Sequence, residues 1–133
     1  MQSILIVTLA LHVLASVFWA GSTFALARAG GSFADQLFRP QLGAATVAIL
    51  SGTYLWHLLH AGAFGRTEQA LAIAAGSAVV AFAVQIALGK TLRDLRAKPD
   101  SEAALRPRVA AAQRVASGLL MVTVIAMAIA RYV

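Results

Sequence analysis

The sequence contains no cysteine. That excludes a disulfide framework and any thiolate metal site. Acidic residues are almost as scarce. Only Asp35, Glu68, Asp94, Asp100 and Glu102 occur, all in stretches between apolar runs. No run therefore carries a carboxylate pair, and hydrolysis by paired carboxylates is disfavoured. A nucleophile with a partnered histidine and carboxylate is missing too, as is a glycine-rich phosphate loop. Any chemistry in this chain has to come from a cofactor. There is no low-complexity tract beyond alanine enrichment, and no convincing internal repeat.

What the chain does have is apolar surface. Of 133 residues, 60% are apolar and only 12% charged. Soluble domains average roughly 45–50% apolar. A single domain of this length cannot hide such an excess, so the lipid bilayer is its natural solvent. Four apolar runs, at 4–27, 41–61, 71–89 and 109–130, are each long enough to span. The expected fold is all-α: one membrane domain over 1–133, built as an antiparallel four-helix transmembrane bundle. The first run lacks a basic leader and is too long for a signal core, so it reads as a retained helix. Between the runs, 33–38 reads as a short amphipathic connector and Pro40 as punctuation at the next helix start. The stretch 62–69 reads as a turn-rich link, and 90–108 as a charged connector with Pro99 and Pro107. Gly43, Gly52, Gly76, Ser77, Ser117 and Gly118 are the expected points of close helix approach.

The net charge is +6, but it does not point to nucleic acid. Arg28, Arg39, Lys90, Arg93, Arg96, Lys98, Arg106 and Arg108 fall on one side of the expected bundle, with Arg114 close by. Arg66 and Arg131 alone fall on the other. The positive-inside rule puts the heavy side in the cytoplasm. Both termini and the 62–69 link then face outward across a bacterial-type inner (plasma) membrane.

The three histidines all belong to the outward half. His12 is about eight residues into the first helix, a depth of roughly 12 Å. An ionisable group there is expensive in lipid, so it faces a protein interior or a partner. At about 100° per residue, Thr8, His12, Ser16, Trp19 and Thr23 share an arc of about 80°. On the second helix Thr46, Thr53, His57 and His60 share about 60°. Two polar stripes on adjacent helices can thus face each other. Imidazole suits iron, copper and zinc. A b-type haem needs one or two axial imidazoles, whereas bare copper or zinc needs three or four ligands. His12, His57 and His60 are the candidate metal ligands. Ser16, Trp19 and Thr53 complete the candidate cofactor-binding set. The bland readings are also open, beginning with His12 as a structural residue hydrogen-bonded to Ser16, Thr8 or a neighbouring carbonyl. His57 and His60 lie beside Tyr54 and Trp56, the composition of an interfacial belt. Trp19 suits packing, Gln85 and Gln113 suit bridges between helices, and Met121 and Met127 suit core filler.

Leu11-His12 followed by Trp19 and Gly21 resembles the first helix of the copper resistance protein D (CopD) superfamily. Gly52, Tyr54 and Leu55, the basic third connector and the closing Ala130-Arg131-Tyr132 extend that likeness over most of the chain. The superfamily includes small four-helix membrane proteins and the HemJ-type protoporphyrinogen oxidases. In HemJ-type proteins the first-helix histidine is the haem ligand, and His12 occupies that position. Phe24, Leu26 and Arg28 also match, but Ala27 stands where those proteins have proline. Gln69 stands where they have a functional lysine, and the next lysine is Lys90. The resemblance therefore implies haem binding at His12 more strongly than protoporphyrinogen oxidation.

Three functional readings follow. The first is a CopD-like membrane protein holding haem b, or another His-ligated metal, near the outer face for electron transfer or metal handling. If it is an enzyme, it is a haem-dependent membrane oxidoreductase. The second is copper transport or resistance without haem. The third is a non-catalytic accessory or assembly subunit with no cofactor. The partner classes are the bilayer and a membrane redox partner or larger membrane complex. The oligomeric state is left open.

Overall fold

A computed structural model describes residues 1–29, 34–60, 62, 64–97, 100 and 102–133. These form four helices: α1 (Gln2–Arg28), α2 (Ala34–His60), α3 (Arg66–Ala97) and α4 (Glu102–Ala130). Each contains a segment long and apolar enough to cross a membrane. The helices have 27, 27, 32 and 29 residues. At a rise of about 1.5 Å per residue they exceed the roughly 30 Å hydrocarbon core. Each packs mainly against two neighbours, in the ring α1–α2–α3–α4, where the contact between α3 and α4 is the most extensive and that between α2 and α3 the least. The surface is apolar, as a bilayer requires: Leu14, Val17, Leu50, Ile73, Val79 and Ile125 are all more than half exposed. The chain is a multi-pass, all-α membrane protein.

The core follows a three-four repeat. On α3 the buried residues include Ala74, Ala78, Ala81, Gln85, Leu88 and Leu92. On α4 they include Val109, Gln113, Ala116, Leu120 and Thr123. This is the spacing of helices crossing at a shallow angle. One apolar cluster joins Trp19, Ala45, Ala48, Ala78, Ala81, Ala116 and Leu120. A second joins Leu26, Leu88, Leu92 and Val109, with Leu37 and Phe38 packed against it. Alanine dominates the first cluster because lipid supplies no hydrophobic force between helices, and close contact must replace it.

Three local expectations change. The 33–38 connector is helical from Ala34, and Pro40 lies inside α2. Burial of Leu37 and Phe38 against the second cluster outweighs the local proline signal. The charged 90–108 connector is mostly helix as well, α3 running to Ala97 and α4 starting at Glu102 with Pro107 inside it. Of the expected approach points, Gly43, Gly76 and Gly118 face open space. The close approaches are Gly52, against His12, and Gly89, where an added Cβ would lie 2.6 Å from Phe38.

Candidate functional site

The apolar sequence of α1 carries His12 to the face turned toward α2. There its Nδ1 lies 2.9 Å from the Ala48 carbonyl oxygen and 3.1 Å from Ser51 Oγ. A carbonyl only accepts, so Nδ1 bears the proton and donates. The Ser51 hydroxyl donates to Val47 O at 2.6 Å, which leaves its oxygen able to accept from His12. In the neutral ring this fixes the tautomer: Nε2 keeps its lone pair. Gly52 makes the approach feasible, since a Cβ there would lie 2.9 Å from His12 Cε1. The histidine thus lies over backbone that only glycine leaves bare.

Beside this contact is a cavity of about 730 Å³ lined by residues of all four helices. That is within the roughly 300–1,000 Å³ range of small-molecule and cofactor sites. His12, Ser16, Trp19, Thr53, His57 and His60 all line it. Leu71, Ala75, Val79, Leu120, Val124 and Met127 supply apolar wall. The threonines of the two stripes mostly satisfy themselves. Thr8, Thr46 and Thr53 each donate to the carbonyl one turn back, on Ile4, Leu42 and Ile49. Thr46 is exposed and outside the cavity lining.

His57 and His60 differ in organisation. His57 is exposed and has no hydrogen-bond or ion-pair partner among the described residues. His60 pairs through Nδ1 with Glu68 Oε1 at 2.7 Å, and Glu68 Oε2 accepts the Gly65 backbone N–H at 2.7 Å. Glu68 is the third residue of α3, so this is half of a capping box. One carboxylate thereby starts α3 and ties it to the end of α2. The Trp56 ring lies 6.0 Å from the His60 ring. Gly52 marks the level of His12, and His57 and His60 follow it by five and eight residues. At the helical rise that is about 7 Å and about 12 Å along α2. The three expected metal ligands therefore do not converge. Among the described residues no group of three or more His, Cys, Asp or Glu is placed to hold a metal ion.

Trp19 packs in the first apolar cluster, edge-on to Phe82 with centroids 6.3 Å apart. It also donates Nε1–H to Gln85 Oε1 at 2.6 Å. Gln85 belongs to a buried polar layer that the sequence showed only in pieces. Thr23 donates to Trp19 O at 2.7 Å and accepts from Gln41 Nε2 at 2.7 Å and Gln85 Nε2 at 2.8 Å. Gln113 is the α4 member of the layer. Thr23, Gln41, Gln85 and Gln113 are each 0% exposed. Among the described residues, Gln41 Oε1 and both polar atoms of Gln113 have no partner. Leaving a buried polar atom unpaired costs about 1–3 kcal/mol. The available signal was one polar residue per helix at a core position of the three-four repeat.

The site therefore offers one imidazole with a fixed tautomer beside an apolar cavity, a second imidazole held by a carboxylate at one end, and a buried polar layer beyond Trp19. No protein-family model, curated protein or solved structure matches the chain.

Proposed function

We propose that this protein is a CopD-like integral membrane protein that binds a b-type haem through His12, near the outer face of a bacterial-type inner membrane. The observation that carries the proposal is the His12–Ala48 hydrogen bond. Histidines that bind metals characteristically donate their other ring N–H to a carbonyl or carboxylate, which orients the ring and raises its basicity. His12 has that arrangement, and among the described residues its Nε2 has no hydrogen-bond partner. The donor set fits haem better than bare copper or zinc. One imidazole suffices for haem, whereas the described histidines form no group able to hold an ion. The cavity's apolar walls and small residues, Gly52, Ala48, Ala75 and Ala78, suit a flat apolar group in a bundle core.

The haem, when bound, supplies one-electron transfer. The chain's own residues bind and orient it and keep water away. His12 would hold it through Nε2, with Ala48 O and Ser51 Oγ holding the imidazole ring. Trp19, fixed by Gln85, would pack at the end of the cavity toward the polar layer. The basic-residue asymmetry supports both termini outside. A membrane redox partner or a larger membrane complex would exchange the electron. The test is the visible spectrum of the purified protein, oxidised and reduced. A Soret band that is lost in His12→Ala supports the reading. Copper without a Soret band supports metal handling without haem, and neither supports an accessory subunit.

A further inference from the structure

We propose that the polar layer at the level of Thr23 is a bound-water site, in which Gln113 and Gln41 hold one or two water molecules inside the bundle. The four residues share one level by their spacing. Thr23 lies between Trp19 of one apolar cluster and Leu26 of the other. Gln85 lies between Ala81 and Leu88, and Gln113 between Val109 and Ala116, in the same clusters. Gln41 lies between Phe38 and Ala45 and is tied directly to Thr23. Apolar clusters therefore border the layer on both sides.

The hydrogen-bond capacity of the layer is only partly used. The Thr23 hydroxyl has spent its one hydrogen on Trp19 O and accepts two amide N–H groups, which saturates it. Gln85 uses Oε1 for Trp19 and Nε2 for Thr23. Because Thr23 can only accept from Gln41, the Gln41 amide orientation is fixed and its Oε1 is the unpaired atom. Gln113 leaves one acceptor and one donor unpaired whichever way its amide is turned. The unpaired set is two oxygens and one N–H₂ group. Water complements it, donating to the oxygens and accepting from the amide, and buried waters typically make about three hydrogen bonds. A cation does not complement it. The layer has no carboxylate, and an N–H donor repels a cation. The site is independent of the cofactor reading, since the atoms concerned lie outside the cavity lining.

The proposal is tested on the full chain in detergent micelles, whose apolar interior supplies no bulk water to the layer. In ¹⁵N-labelled protein the Gln113 side-chain amide protons are expected to show cross-relaxation to water. Absence of that signal overturns the proposal without any variant having to fold. Thermal unfolding supplies the second arm. Q113L is expected to lower Tm, because it strips a partner from the water that Gln41 also binds. The double variant Q41L/Q113L is expected to recover part of the summed loss. A rise in Tm for Q113L alone, or strictly additive losses, would show amides that share no water. A Tm that falls when choline replaces sodium would assign the site to an ion and overturn the water reading as well.

Discussion

The imidazole of His12 rests on the backbone of Gly52, with Cε1 2.9 Å from where a Cβ would stand and Nδ1 2.9 Å from the Ala48 carbonyl oxygen. One glycine on α2 thus decides whether a histidine on α1 can reach a carbonyl, and with that which ring nitrogen keeps its lone pair.

Gly52→Ala is therefore expected to move His12 without unfolding the bundle. Loss of the orienting bond of a ligating histidine costs about 10–100-fold in affinity. Haem titration of G52A in micelles should show a weakening of that order with Tm near that of the parent. Unchanged affinity would mean that the ring contact with α2 does not govern binding.

Gly89 and Gly76 make a matched pair. A Cβ at Gly89 would meet Phe38 at 2.6 Å, whereas one at Gly76 meets nothing within 4 Å. Overpacking costs about 1–3 kcal/mol, and an unobstructed Gly→Ala change in a helix gains about 0.5–1 kcal/mol. Unfolding measurements on G89A and G76A should therefore shift in opposite directions.

Trp19→Phe keeps an aromatic ring in the apolar cluster but removes the donor to Gln85 Oε1. The buried acceptor left behind should cost about 1–3 kcal/mol. Replacing Gln85 by leucine in the same chain should not return all of it, since Thr23 would lose the Gln85 Nε2–H bond. Reversible unfolding of the single and double variants in mild detergent measures both steps.

The orientation has its own test. Basic residues gather at the end shared by Arg28, Arg39, Lys90 and Arg108, against Arg66 and Arg131 at the other. A reporter fused after Val133 should be active outside the cytoplasm. Activity confined to the cytoplasm would reverse the topology.

How far the sequence could be read varies with the physics involved. The four helices were legible because a span must be long and apolar, and that signal is local. The pairing of α1 with α2 through His12 was partly legible. The cost of a histidine in lipid demands a protein partner, but its partner proved to be the Ala48 carbonyl, a backbone group that carries no sequence signal. Of the α2 stripe of Thr46, Thr53, His57 and His60, the last three line the cavity that His12 also lines, whereas Thr46 lies outside it; the surface that α2 buries is that of Ala45, Ala48 and Leu55. Threonine satisfies its own hydroxyl on the preceding turn, as Thr46 and Thr53 do, so a stripe of them need not seek a protein neighbour. The starts of α2, α3 and α4 and the end of α3 lie outside the apolar runs, because composition marks the membrane boundary rather than the helix boundary. The Thr23–Gln41–Gln85–Gln113 layer was invisible as a unit, because its members are distant in sequence and only the heptad-like register brings them level.

The most direct test of the central claim is the oxidised and reduced visible spectrum of purified protein, recorded for the parent chain and for H12A, H57A and H60A. The account predicts a Soret band in the parent, its loss in H12A, and its retention in H57A, whose imidazole is exposed and unpartnered. H60A should keep the band with lower occupancy, because the tie to Glu68 at the end of the cavity is cut. A folded H12A protein with full haem occupancy would contradict the account.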